Sequence, residues 1–177
     1  AEYDNYNVAK TEIIRVKSDD DLYDLPMKIT WPLTMKAGKK YPVLISIYGG
    51  PNAGTVNEGF TLGGTQQWYA KEGLIQVAMD HRASGHFGKE GVNYMYHNLG
   101  DWELKDYATM VKWLVANGSA DAKKICITGF SYGGYMSCLA LTKYSDVFTH
   151  GMAGGSVTDW SLYDSHYTEK FMGTLTN

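Results

Sequence analysis

The run Lys124-Ile-Cys-Ile-Thr128 passes without a spacer into Gly129-Phe-Ser-Tyr-Gly133 and then into a stretch with helical spacing as far as Lys143. No other segment constrains the chain as much. A β-branched strand, a turn flanked by glycines and a helix, in that order, push the central serine out above a sheet, which is the setting of a nucleophile elbow. The pattern G-x-S-x-G is weak by itself, so the strand before it and the helix after it carry the inference.

The remaining elements read as a sheet to hold that corner. Residues 41–48 and 74–79 are short, β-branched and almost continuously apolar. Both are expected as interior strands of a mostly parallel sheet covered on both faces by helices. Residues 11–16 and 22–31 alternate apolar and polar around Ser18-Asp-Asp-Asp21, which predicts an antiparallel hairpin. The acidic turn lacks the spacing and the glycine of a calcium loop and is read as solvated. Residues 66–72 predict a short helix, and 150–155 a weak strand.

The clearest helix is 101–117, where Leu104, Tyr107, Ala108, Val111, Leu114 and Val115 form one apolar stripe, with Asp101 as N-cap and Gly118 as the stop. Strands alternating with helices give an α/β, doubly wound, mostly parallel sheet. No internal repeat or low-complexity linker interrupts it.

Composition narrows the function. With 177 residues, 44% hydrophobic and 20% charged, the chain is one globular domain's worth of sequence and not a disordered tail, collagen or coiled coil. Its net charge of -3, spread without blocks, offers no basic stripe to nucleic acid. No apolar run approaches the roughly 18 residues of a membrane span, so neither a membrane segment nor a signal peptide is expected. Cys126 and Cys138 are expected as buried free thiols. The histidines lack the i, i+3 or i, i+4 spacing of a helical metal site, so no metal and no cofactor are expected. His81 and His86 read as hydrogen bonders that anchor loops.

Acyl transfer by Ser131 requires donors aimed at a developing oxyanion. The N–H of Tyr132, the residue after the serine, is the first. The second must come from the end of an earlier strand, where Tyr48-Gly-Gly-Pro51 leaves a phenol O–H free to donate. A tyrosine that merely caps the edge of the core is the competing reading of Tyr48.

Four segments together, Gly129-Phe-Ser-Tyr-Gly-Gly-Tyr-Met136, Tyr41-Pro-Val-Leu-Ile-Ser-Ile-Tyr-Gly-Gly-Pro51, Asp80-His-Arg-Ala-Ser-Gly-His-Phe-Gly88 and Tyr163-Asp-Ser-His-Tyr-Thr-Glu-Lys-Phe-Met-Gly173, resemble the catalytic domain of the prolyl oligopeptidase family, in its dipeptidyl peptidase IV-like branch. The resemblance implies an α/β-hydrolase fold and a serine peptidase acting through an acyl-enzyme on Ser131. It implies a peptide substrate cut after proline or alanine to release N-terminal dipeptides. Tyr48 and Tyr132 would form the oxyanion hole, and Tyr132, Val157, Trp160, Tyr163 and Tyr167 would wall an apolar pocket for the proline or alanine side chain. Trp160, Tyr163 and Tyr167 also fall at i, i+3 and i+7, the spacing of one helix face. Phe130 stands where well-known members carry tryptophan, and His166 lies inside the pocket motif.

The base and acid of a triad follow the serine in this fold in the order Asp, His. Asp159, Asp164, His150 and His166 are the downstream candidates. A triad of Ser131, Asp159 and His166 obeys the order but leaves no room for the strands that normally carry acid and base. The expectation is therefore that residues 1–177 are a partial catalytic domain, with C-terminal strands and helices missing, the triad Asp and His beyond Asn177 and the branch's β-propeller absent. Both ends would arise by processing or design. Alone, the chain would be inactive or nearly so, and its last strand an open edge through which copies pair. A periplasmic or secreted location is favoured. The alternatives are a carboxylesterase or lipase-like hydrolase, which more often uses backbone donors in an H-G-G-G loop, and a non-catalytic homologue.

Overall fold

The computed structural model describes residues 5–59 and 62–174. Its six strands are β1 (Thr11–Lys17), β2 (Asp24–Thr30), β3 (Tyr41–Ser46), β4 (Ile75–Met79), β5 (Ala120–Phe130) and β6 (His150–Gly154). They form one sheet in the order β1-β2-β4-β3-β5-β6. β1 and β2 make the expected hairpin, Thr11 opposite Thr30 and Lys17 opposite Asp24, and β2 also runs antiparallel to β4. From β4 across β3 and β5 to β6 every pairing is parallel.

Four helices lie between the strands, α1 (Gly64–Lys71), α2 (Gly88–Asn93), α3 (Trp102–Ala116) and α4 (Tyr132–Lys143), and α5 (Ser165–Met172) follows β6. α2 is a single short helix that the sequence reading did not anticipate. Val43, Ile45, Ile75, Val77, Met79, Ile125 and Ile127 bury against Leu104, Tyr107, Met110 and Leu114 of α3 and Met136 and Ala140 of α4. Each of the Val, Ile, Leu and Met side chains contributes about 1.5–3 kcal/mol by leaving water.

The expectation that the central strands are covered on both faces is corrected. In β3, Tyr41, Val43 and Ile45 are buried, but Pro42 and Leu44 between them are half-exposed and Ser46 is exposed. Cys126, Thr128 and Phe130 repeat that alternation in β5, and Met152 of β6 is also exposed. Continuous apolarity marked the strands correctly without fixing how much of the second face is covered. Cys126 is accordingly half-buried and Cys138 exposed, so neither free thiol is the fully buried one expected.

Two local readings also change. Asp101 precedes α3 but makes no capping bond, and Glu103 instead accepts from the Gly100 N–H at 2.8 Å. Gly118 does end the helix region, with φ at +97°. The acidic turn is not simply solvated. Asp20 accepts from the buried Arg82 at 2.7 Å, and Arg82 also grips Asp106 through Nε at 2.9 Å and Nη2 at 2.8 Å. The guanidinium lies over the rings of Trp102 at 4.1 Å, Tyr94 at 4.8 Å and Tyr23 at 4.9 Å. Burial works against the Asp20 charge, but bonds from Arg82, Ser18 and the Leu22 N–H outweigh it and bring its pKa down to about 2. This cluster ties the hairpin turn to the end of β4 and to α3.

Candidate active site

β5 delivers the chain to Ser131, which sits at φ 58° and ψ −117°, and α4 begins at the next residue. Few residues other than glycine adopt that conformation, and its strain holds the side chain away from both neighbours. The flanking glycines are required by contact. A Cβ on Gly129 would lie 2.6 Å from the backbone of Gly133, and one on Gly133 would lie 2.6 Å from the carbonyl oxygen of Ile47. The corner therefore closes on itself and on the end of β3. The Ser131 N–H donates to the Gly154 carbonyl at 2.9 Å, which fastens the corner to β6. Among the described residues the Ser131 hydroxyl makes no hydrogen bond.

Tyr132 opens α4, so its N–H belongs to the first turn, whose donors have no acceptor within the helix and carry the positive end of its dipole. Its side chain is 2% exposed and donates to Glu103 Oε1 at 2.5 Å. Burial, and then the nearby Glu103 charge, push the phenol pKa well up, so it stays a neutral donor. Burial likewise raises the Glu103 carboxyl. Tyr48 lies just past β3 and is 37% exposed.

The rings of Tyr48 and Tyr132 are 6.2 Å apart, Tyr132 and Trp160 5.7 Å. Trp160 stacks on Tyr167 at 5.8 Å with 9° between planes, and Tyr163 stands edge-on to both, at 5.9 and 5.6 Å. Five of the residues singled out in the sequence thus form one continuous aromatic cluster beside the elbow. Val157 sits half-buried in the connection that follows β6. Two further rings join. Tyr135 lies 5.5 Å from Tyr132 and 5.3 Å from Trp160, and Phe171 lies 4.9 Å from Tyr167. Tyr135 follows Ser131 by four positions, a helical spacing that could have found it.

The single helix face expected for Trp160, Tyr163 and Tyr167 is corrected. Trp160 belongs to a 3₁₀ turn, Trp160–Leu162, and Tyr163 is the extended residue that ends it. Tyr167 is on α5, which Asp164 caps by accepting from the Tyr167 N–H at 2.9 Å. Asp159 caps the 3₁₀ turn in the same way, accepting from the N–H and hydroxyl of Ser161. Those bonds pull its carboxyl below its ordinary pKa. His166 is exposed on α5 and His150 bonds to Thr149 Oγ1 at 2.8 Å. Among the described residues no hydrogen bond joins Ser131, Asp159 and His166.

His81 and His86 do anchor loops. His86 Nε2 is 2.8 Å from Asp80, which also accepts from the N–H groups of Thr55 and Val56. His81 Nε2 is 2.9 Å from the Gly49 carbonyl oxygen. Among the described residues no group of three or more His, Cys, Asp or Glu could hold a metal ion, and no helix is long and apolar enough to cross a membrane. A cleft of about 400 Å³ between β1, Lys28 and α1 is lined by none of the candidate site residues.

The family model described as the prolyl oligopeptidase family matches residues 60–177. The chain belongs to that family. Its sequence is 37% identical over 172 residues to the bovine (Bos taurus) "Prolyl endopeptidase FAP", covering 97% of this chain and 22% of that protein. The human (Homo sapiens) protein of the same name is 36% identical over the same length. A crystal structure of Porphyromonas gingivalis dipeptidyl peptidase 4 matches with a TM-score of 0.85 and 32% identity, covering 97% of this chain and 24% of that one. The described elements are those of an α/β-hydrolase domain. The chain spans about a fifth of the length of the curated relatives it matches.

Proposed function

We propose that residues 1–177 are part of the catalytic domain of a serine peptidase that releases N-terminal dipeptides after proline or alanine. The observation that carries this reading is the strained Ser131 at a strand-to-helix corner, beside a cluster that runs from Tyr48 through Tyr132 to Trp160 and Tyr167. The name of the Porphyromonas neighbour, a dipeptidyl peptidase, supports the same class.

Ser131 Oγ attacks the scissile carbonyl carbon and loses its proton to a base. The carbonyl oxygen becomes an oxyanion held by the Tyr132 N–H and the Tyr48 O–H. The leaving amine takes up the proton, and water then hydrolyses the ester on Ser131. A proline ring fits between aromatic faces because both partners are rigid and lose little conformational freedom on contact. Tyr132, Val157, Trp160, Tyr163 and Tyr167 wall that pocket.

The triad Asp and His belong, in this proposal, to sequence outside residues 1–177, as does a β-propeller. Each downstream Asp or His that could serve is capping a helix, bonded elsewhere or exposed without a bond to Ser131 among the described residues. β6 is an edge of the sheet, and we include in the proposal that isolated copies pair there. Sedimentation of the 177 residues at high concentration checks that point, a clean monomer counting against it.

The central test is hydrolysis of Gly-Pro and Ala-Ala chromogenic amides by the full-length protein that carries these residues, with Ser131→Ala alongside. Ser131-dependent release of the dipeptide is expected. Preference for simple esters would favour a carboxylesterase, and silence towards both substrates a non-catalytic homologue.

A further inference from the structure

We propose that His81 is a positioning residue for the oxyanion hole, holding the Gly49 peptide on which the Tyr48 ring rests. The inference rests on the peptidase reading above and adds a residue to it.

His81 is completely buried at the end of β4, and both of its ring nitrogens are engaged. The Ala83 N–H donates to Nδ1 at 3.1 Å, so Nδ1 carries no proton. Nε2 must then carry the hydrogen, and it donates to the Gly49 carbonyl at 2.9 Å. A backbone contact two residues away therefore fixes the tautomer, and the tautomer fixes the direction of the bond to Gly49. The imidazole stands edge-on to Tyr107 at 5.5 Å, which stops the ring from turning.

Gly49 has no freedom on its other side. Its φ is +80°, and a Cβ there would lie 3.1 Å from Tyr107 Oη and 3.2 Å from Met136 Cγ. The next residue transmits the constraint. A Cβ on Gly50 would lie 2.6 Å from Tyr48 Cε1 and 3.3 Å from Cδ1 and Cζ, which means that this side of the phenol ring is in close contact with Gly50. Rotation of the Gly49–Gly50 peptide, which the His81 bond prevents, would move the surface supporting that ring and swing its hydroxyl away from the oxyanion. His81 touches no reacting atom in this scheme and acts through the peptide.

Two substitutions separate this role from a purely structural one. His81→Gln can place an amide N–H where Nε2 stands and keep the bond to Gly49, while losing the acceptor for Ala83. His81→Asn can keep an acceptor for Ala83 but is too short to reach Gly49. In the full-length protein His81→Asn is expected to lower kcat about 10- to 100-fold with KM nearly unchanged. His81→Gln should restore most of kcat. A boronate that mimics the tetrahedral intermediate should lose affinity for the Asn variant in proportion, and a substrate-like product should not. Thermal unfolding of both variants controls for folding.

Equal kcat in the Asn and Gln variants, or rates that simply follow their unfolding temperatures, would overturn the proposal. If the Asn variant does not fold, kcat of the Gln variant near that of the unaltered protein supports it and a loss of tenfold or more overturns it. Absence of Ser131-dependent hydrolysis in the unaltered protein is a different failure, that of the peptidase reading itself.

Discussion

The two sides of the site are built differently. The elbow and the proposed oxyanion donors stand at the ends of parallel strands and on the first turn of α4, where Tyr132 is buried and added methyl groups would collide with backbone at 2.6 Å. The part of the proposed pocket wall made by Trp160, Tyr163 and Tyr167 hangs on a 3₁₀ turn and α5, neither of which contains a fully buried residue. Charge development tolerates little displacement of its donors, so the reacting side belongs on rigid elements. A wall that only has to fit an apolar ring can rest on aromatic stacking near the surface. Losses on the reacting side should therefore appear in kcat or folding, and losses on the wall in KM.

The largest effect expected is from Ser131→Ala, which should lower kcat by about 10⁴ or more in the full-length protein and abolish fluorophosphonate labelling detected by intact mass. Next is Tyr48→Phe, which deletes one oxyanion donor and should lower kcat about 10²- to 10³-fold with little change in KM. An unchanged kcat would return Tyr48 to the role of a residue capping the core edge. Gly133→Ala should lose about 1–3 kcal/mol in urea unfolding, because the backbone at Ile47 cannot retreat. Trp160→Ala should raise KM for a proline substrate about tenfold, equivalent to about 1.4 kcal/mol of binding, and leave kcat within a few-fold. A fall in kcat as large as that of Tyr48→Phe would erase the distinction between the two sides.

The smallest effect concerns the turn that braces β4. Asp20 titrates near 2 in the folded protein and near 3.9 when unfolded, so its stabilisation is complete above about pH 4 and is lost as pH falls towards 2. Asp20→Asn should lower stability at pH 7 by about 1 kcal/mol or less and flatten that acid limb, as followed by thermal unfolding.

Sequence patterns found what is local. The hairpin, four parallel-sheet strands, α3, α4 and the elbow all follow from periodicity and turn chemistry over short windows, and the quoted motifs located five rings that do meet. Arg82 was invisible to such reasoning. Its partners Asp20 and Asp106 lie 62 and 24 positions away, and nothing local separates a buried, caged arginine from a solvated one. Glu103 was missed for a related reason: its place four positions before Tyr107 puts it on the buried side of α3, but nothing local points to Tyr132, 29 positions away, as the partner of its carboxyl. The break between Trp160 and Tyr167 was hidden because the i, i+3, i+7 spacing survives a change from a 3₁₀ turn to α5.

The bond from the Ser131 N–H to Gly154 has a consequence in time. β3 can find its parallel partner β5 only after some 80 residues of intervening chain have been made, and closing so long a loop is slow compared with forming the β1–β2 hairpin. The strained turn at Ser131 then needs β6 beside it before its N–H finds an acceptor. If Ser131 is the nucleophile proposed above, a nascent chain carries an unarmed serine until β5 and β6 are both paired.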